Sequence, residues 1–61
     1  MKPTVKLIGT DGNAFLIIGA CCKALRRAGM RNEAEELMHT ALAASSYDNL
    51  LQICMDYVEI R

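Results

Sequence analysis

Three cysteines and one histidine are the side chains of this 61-residue chain best suited to redox or metal chemistry. Cys21 and Cys22 are adjacent, whereas redox and zinc sites use a Cys-x-x-Cys spacing, and neighbouring cysteines rarely form a disulfide without strain. An odd number of cysteines is also a poor disulfide framework. Cys21 and Cys54 fall in apolar helical stripes, with Cys22 at the border of one, and buried cysteine behaves as a small hydrophobic residue. We expect reduced thiols packed in a core, with no metal and no cofactor.

His39 is the second candidate for chemistry, with Glu35 one turn before it on the polar face of a predicted helix. A catalytic base needs a nucleophile or a substrate within hydrogen-bond reach. The chain offers no nucleophile paired with a base, no paired carboxylates in a pocket and no set of metal ligands. We therefore expect a solvated surface histidine and a protein that is not an enzyme, with no catalytic residues.

One basic cluster stands out, and it consists of Lys23, Arg26, Arg27 and Arg31. Such a cluster can contact the phosphates of nucleic acid. Two features favour a structural role instead: cations near a helix C-terminus complement the helix dipole, and no aromatic residues lie between the arginines for base stacking. Seven basic and seven acidic residues cancel, so no overall field draws the chain to nucleic acid or to an anionic membrane.

A glycine-containing loop at residues 9–13 precedes the first predicted helix, where a phosphate site could form. The loop lacks the Gly-Lys-Ser/Thr ending of a P-loop and the three-glycine spacing of a dinucleotide loop. Asp11 would also repel phosphate. We expect a turn in which Asp11 or Asn13 caps the helix.

Size and composition predict one domain, residues 1–61, with a dense core. Hydrophobic residues make up 52% of the chain, and the mean hydropathy is +0.15. A chain of this length buries only about 60% of its unfolded surface, so we expect low stability and consider self-association. No apolar segment near the N-terminus is long enough for a signal peptide, and the run at 14–22 is too short to cross a bilayer. We expect a cytoplasmic protein that does not enter membranes.

Hydrophobic periodicity and capping residues predict three helices. The first covers residues 14–28 and is followed by Gly29, a residue suited to the left-handed position after a helix. The second opens at 31–35, with Asn32 as N-cap and Glu35 at the capping-box spacing, and should end in the small residues at 43–46. Ser45 or Ser46 caps the third, from residue 47 to about residue 55, whose apolar arc is predicted to include Tyr47.

Residues 4–8 and 57–60 have the alternating pattern and β-branched residues of strands. The fold class is therefore α+β, in the order β-α-α-α-β, with three helices on one face of a two-stranded ribbon formed by the N- and C-terminal strands. Antiparallel pairing is commoner overall, but the short link before the last strand leaves the direction open. A lone ribbon has free edges, and one of them could pair with the same edge of a second copy to form a homodimer.

Leu16 is an apolar residue that this core does not use. It projects toward the polar side of the first helix, between Lys23 and Arg27 in angle. Single exposed apolar residues are ordinary, but residues that join into a patch mark a surface for a partner. The candidate partner surface combines this residue with the basic cluster: Leu16, Lys23, Arg26, Arg27 and Arg31.

Five short segments carry a resemblance to known sequences: residues 5–9 (VKLIG), 11–15 (DGNAF), 25–29 (LRRAG), 47–51 (YDNLL) and 54–59 (CMDYVE). Together they resemble a group of short uncharacterised open reading frames of bacteria and their phages or mobile elements. The resemblance covers nearly the whole chain and implies a stand-alone cytosolic protein. It implies no known activity and brings no catalytic residues.

These observations predict a small non-catalytic module that binds a protein partner or a second copy of itself. The alternative is a nucleic-acid-binding accessory protein that uses the basic cluster. The sequence does not identify the partner.

Overall fold

Three helices lie between two short strands in the computed structural model, which describes residues 2–6 and 13–61. The elements are β1 (Thr4–Val5), α1 (Ala14–Arg27), α2 (Arg31–Leu42), α3 (Tyr47–Tyr57) and β2 (Glu59–Ile60). The predicted α+β class and the β-α-α-α-β order are confirmed. The glycine-containing loop up to residue 12, including the candidate cap Asp11, lies outside the described residues, as does the end of the first predicted strand at 7–8.

The two strands pair in parallel, with Thr4 opposite Glu59 and Val5 opposite Ile60. The backbone N–H of Glu59 donates to the Pro3 carbonyl and that of Arg61 to the Val5 carbonyl, both at 2.8 Å. Parallel strands require a long crossover, and the three helices provide it. The strand direction that the sequence left open is therefore parallel.

Local capping defines both ends of α1. The Asn13 side chain accepts hydrogen bonds from the N–H groups of Phe15 at 2.9 Å and Leu16 at 3.3 Å. At the other end Gly29 has φ of 78°, and the Met30 N–H donates to the Leu25 carbonyl at 2.8 Å. This bond is the longer of the two that define a Schellman motif. The predicted caps Asn13 and Gly29 are confirmed.

The predicted N-cap of α2 is wrong. Helix α2 begins at Arg31, and Met30 occupies the capping position without a side-chain hydrogen bond. The N–H of Met30 already closes the end of α1, and α2 starts at the next residue. Asn32 therefore lies inside the helix, so it cannot form a capping box with Glu35. Helix α3 does have a side-chain cap, because the Ser46 hydroxyl accepts from the Asn49 N–H at 3.0 Å.

The last predicted strand is shorter than the sequence suggested, because α3 continues to Tyr57. The N–H of Val58 still bonds to the Cys54 carbonyl at 2.9 Å, and the Tyr57 hydroxyl donates to the Glu36 carboxylate at 2.6 Å. This bond attaches the last turn of α3 to α2. The alternating pattern at residues 57–60 is too short to distinguish a strand from a helix, and in the structure its first residue belongs to α3.

The core joins all three helices to both strands. Its buried members are Val5, Ile17, Ile18, Cys21, Cys22, Leu25, Ala34, Leu37, Ala41, Leu50, Cys54 and Val58. Among the described residues no polar or charged residue is buried. Tyr47, predicted to belong to the apolar arc of α3, is 43% exposed, so that prediction is wrong. No helix of the described chain is both long enough and apolar enough to span a membrane.

Candidate functional site

The three thiols lie in the core and are free, so the predicted packing role is confirmed. Cys21 on α1 and Cys54 on α3 are both 0% exposed. A hydrogen bond between these two side chains, together with burial, raises the pKa of the Cys21 thiol above its usual range. The same hydrogen bond lowers the pKa of the Cys54 thiol, and burial opposes this effect. Cys21 is a poor nucleophile because the thiolate is the reactive form, and burial keeps both sulfurs from a reagent.

The Cys22 thiol is also hydrogen-bonded, on the side of α1 that faces α2. Its Sγ donates to the Ala34 carbonyl at 3.4 Å. Burial raises the pKa of the Cys22 thiol, and the nearby Arg26 only partly opposes this effect. His39 is exposed on α2, as predicted. Within residues 2–6 and 13–61, no three cysteine, histidine or acidic side chains lie together as metal ligands would.

The structure divides the basic cluster. Lys23 and Arg27, one turn apart on α1, line one groove together, whereas Arg26 and Arg31 do not line it. Arg26 lies near the Cys22 thiol, and Arg31 is the first residue of α2. All four cations are exposed. The candidate surface predicted from sequence therefore comprises at least two distinct regions.

We name the first concave surface the basic groove. It lies between β1 and the exposed side of α1 and has a volume of about 440 Å³. Three alanines spaced four residues apart line α1 here, and none of the residues from β2, α2 or α3 contributes. The described residues that line it are Pro3, Thr4, Val5, Ala20, Lys23, Ala24, Arg27 and Ala28. Leu16, 55% exposed, lies one turn before Ala20 and continues this face of α1.

We name the second concave surface the apolar hollow. It has a volume of about 260 Å³ and lies where the first turn of α1 meets the end of α2 and the start of α3. It is lined by Ala14, Phe15, Ile18, Ala41, Leu42, Ala44, Ser46, Tyr47 and Leu50. None of these residues is charged. The basic groove therefore combines small residues with cations, and the apolar hollow combines apolar residues with two aromatic rings.

The apolar hollow was missed by sequence reasoning. Phe15, which is 75% exposed, was assigned to no surface, and Tyr47 was assigned to the core. One signal in the sequence indicated that Phe15 borders the core. It lies seven residues before Cys22, and residues seven apart share a helix face, so Phe15 lies at the edge of the buried stripe of α1. That position alone does not reveal that the ends of α2 and α3 lie beside it.

Comparison of the chain with family models, with curated proteins and with solved structures finds no match. The resemblance to short bacterial and phage reading frames stays a prediction. Function must therefore be argued from the burial, contacts and charges of this chain's own residues.

Proposed function

We propose that this protein is a small non-catalytic interaction module that associates with a second copy of itself through the apolar hollow. One observation carries the proposal. Three of the five large hydrophobic side chains that are exposed in the described chain, Phe15, Leu42 and Tyr47, surround this single hollow. Scattered exposed apolar residues are ordinary, whereas a group around a concavity is typical of a binding surface.

The apolar hollow and the exposed side chain of Phe15 are complementary to each other. A two-fold contact places the same patch of both copies face to face, so an exposed side chain of one copy can enter the hollow of the other. Phe15 is the side chain available for this insertion because it is the most exposed of the three. A dry cavity of about 150 Å³ is known to hold a benzene ring. The hollow, at about 260 Å³, is large enough for the ring of Phe15.

The absence of charge in the lining also favours a second copy as the occupant. Identical copies bring identical charges together near a two-fold axis, which is unfavourable when the patch is charged. None of the described residues that line the apolar hollow is charged, so they add no such cost to self-association there. A standard interface buries about 800 Å² per partner, about a fifth of the 4208 Å² surface of this chain.

The strand edge is a less favourable place for the homodimer predicted from sequence. The outer edge of β1 borders the basic groove. Two-fold pairing along that edge would bring Lys23 and Arg27 of one copy toward the same residues of the other. The like charges would oppose the contact, and two-residue strands offer few hydrogen bonds to offset them.

Sedimentation velocity between about 5 and 500 µM tests the proposal. We expect the wild-type mass to rise from monomer to dimer and Phe15→Ser to remain monomeric across this range. Leu16→Ser is the matched control, because Leu16 is the next residue, is 55% exposed and does not line the hollow. A wild-type protein that stays monomeric, or an equal loss of dimer in both variants, would contradict the proposal. Circular dichroism confirms that each variant is folded.

Nucleic-acid binding remains the second candidate, because all four cations of the basic cluster are exposed. Phosphate contacts weaken steeply as salt increases, and a gel shift at two salt concentrations measures this dependence. Binding that disappears at high salt and in the variant Arg26→Glu plus Arg27→Glu would favour this candidate. We favour the interaction module because the groove that holds Lys23 and Arg27 contains no aromatic side chain for base stacking.

A further inference from the structure

We infer that the basic groove binds an extended segment of an acidic partner chain, which adds a strand to the outer edge of β1. This inference is independent of the dimer, because the basic groove and the apolar hollow share no lining residue. Three features support it: the direction of the β1 backbone, the small residues of the lining, and the two cations.

The backbone of β1 has one edge directed to β2 and the other away from it. The carbonyls of Pro3 and Val5 accept from β2, at Glu59 and Arg61 respectively. Since alternate residues of a strand direct their N–H and C=O groups to opposite edges, those of Thr4 face the outer edge. The groove is lined by β1 but not by β2, so it lies along this outer edge. Addition of a strand to an exposed sheet edge is a recurring mode of peptide recognition.

Three small side chains on the α1 side of the groove allow a peptide backbone to approach closely. Ala20, Ala24 and Ala28 follow one another at intervals of one turn, and all three line the groove. Ala20 and Ala24 are only partly buried, so part of their surface remains open to a ligand. A row of small residues is common in helices and would not suffice alone. Here it forms one wall of a groove whose other wall is a strand edge.

The charges determine which kind of segment fits. Lys23 and Arg27 both line the groove, and none of the lining residues within 2–6 and 13–61 is acidic. A partner carboxylate could form charge-assisted hydrogen bonds with the guanidinium of Arg27, which presents a planar set of donors. A basic segment would be repelled. Leu16 lies beyond Ala20 on the same face, so an apolar residue of the same segment could cover it.

An acidic peptide explains the groove better than the other occupants. A second copy would bring its own Lys23 and Arg27 against the same residues. A nucleic-acid strand has no backbone amides to pair with the outer edge of β1, so it would leave that half of the groove unused. The inferred partner is therefore a polypeptide that is extended when bound, with acidic residues at alternate positions.

Fluorescence polarisation with a labelled ten-residue peptide of alternating glutamate and valine tests this inference. We expect saturable binding to the wild type, and at least about tenfold weaker binding to Arg27→Glu because the charge is reversed. Arg26→Glu is the matched control, since Arg26 is the adjacent cation but does not line the groove, and it should change affinity less than about twofold. Phe15→Ser should bind the peptide as the wild type does, which separates this inference from the proposed dimer.

Two further measurements distinguish strand addition from simple attraction between charges. Alternate N–H groups of an added strand face β1, so N-methylation of one alternate set should abolish binding while methylation of the other set leaves it intact. Ala24→Leu should fill the groove and weaken binding at least about tenfold without changing charge. Equal effects of the two methylated sets, full binding by Ala24→Leu, or no binding of the peptide at about 1 mM would overturn the inference. Preferential displacement of the peptide by a single-stranded oligonucleotide would also overturn it.

Discussion

The apolar hollow and the basic groove both use α1, yet they suit different partners. The hollow uses the first turn of the helix and is lined, in the part of the chain that the structure describes, by uncharged residues alone. The groove uses later turns and includes Lys23 and Arg27. Self-association places each residue near its own copy, which an uncharged surface tolerates and a surface of one charge sign does not. The comparison indicates that the charge of a concave surface, more than its size, decides whether a second copy can occupy it.

Leu25→Ala would remove both surfaces together, and it is the change with the largest expected effect. Leu25 lies on the buried face of α1, the helix that both surfaces share, and is 0% exposed. Truncation of a buried leucine costs about 2–5 kcal/mol, comparable to the whole stability expected of so short a chain. Urea unfolding followed by circular dichroism should show a largely unfolded variant. Leu16→Ala, at an exposed site of the same helix, should unfold at nearly the wild-type midpoint. Similar midpoints for both variants would contradict the observed core.

A charge placed in the hollow would make it resemble the groove. Leu42 is 59% exposed and lines the hollow, so Leu42→Lys should leave the fold intact. We expect at least about a tenfold weaker dimer, equal to about 1.4 kcal/mol, because two lysines would then meet near the axis. Sedimentation equilibrium measures the change.

The matched partner for this experiment is Leu42→Glu. Alone it should dimerise as poorly as Leu42→Lys, whereas an equal mixture of the two variants should recover dimer through opposite charges. A mixture no stronger than either variant would show that residue 42 does not face the second copy. Both variants should still bind the acidic peptide, because Leu42 does not line the basic groove.

Much of the fold was predictable because its signals are local. Asn13 and Gly29 act within a few residues of their own positions, and each is found at the helix end where its chemistry places it. Asn32 failed as a cap because α1 closes at Met30 and α2 begins at the next residue, which places Asn32 inside α2. Tyr57 failed as a strand residue because a partner on another helix, Glu36, holds it in α3. The first error comes from two local signals, at Gly29 and Asn32, that lie only three residues apart. The second depends on a neighbour that a local pattern does not contain.

The two surfaces were less predictable, because each one needs residues from separate elements. The spacing of Lys23 and Arg27 shows that they share a helix face, but not that β1 lies beside that face. Phe15 lies far from Leu42 and Tyr47 in the sequence, and only the packing of three helix ends brings them together. Exposure of a large side chain is a property of the folded structure, and hydropathy alone assigned Tyr47 to the core.

Alkaline pH tests the core that supports both surfaces. The pKa of the Cys21 thiol is raised in the folded protein by Cys54 and by burial. Both states are protonated below the usual thiol pKa of about 8.5; above it the unfolded chain loses a proton that the folded chain retains. Stability should therefore fall as pH rises above the usual thiol pKa.

Urea unfolding at pH 7.5 and pH 9.5 with a reducing agent measures that loss. The hydrogen bond to Cys21 lowers the pKa of the Cys54 thiol and burial raises it, so a change at Cys21 alone would also change the titration of Cys54. Cys21→Ala plus Cys54→Ala removes the pair, so the stability of this variant should fall less than that of the wild type over the same interval. Cys22, whose thiol pKa is also raised by burial, contributes in the same direction and remains in the variant. An identical loss in the wild type and the double variant would show that the pair retains no proton in the folded state.

The turn after α1 allows a change of backbone conformation alone, which should leave both surfaces untouched. Gly29 has φ of 78°, and an added Cβ there would meet nothing within 4 Å. Gly29→Ala should therefore cost about 1–2 kcal/mol from backbone conformation alone.

Gly19→Ala is the matched substitution in the middle of α1, also with nothing within 4 Å of the added Cβ. It should stabilise the helix by about 0.5–1 kcal/mol. Opposite shifts of the urea midpoint, with unchanged dimer mass and peptide affinity per folded molecule, are expected. A change in either binding measurement would show that these surfaces depend on more of α1 than their lining residues.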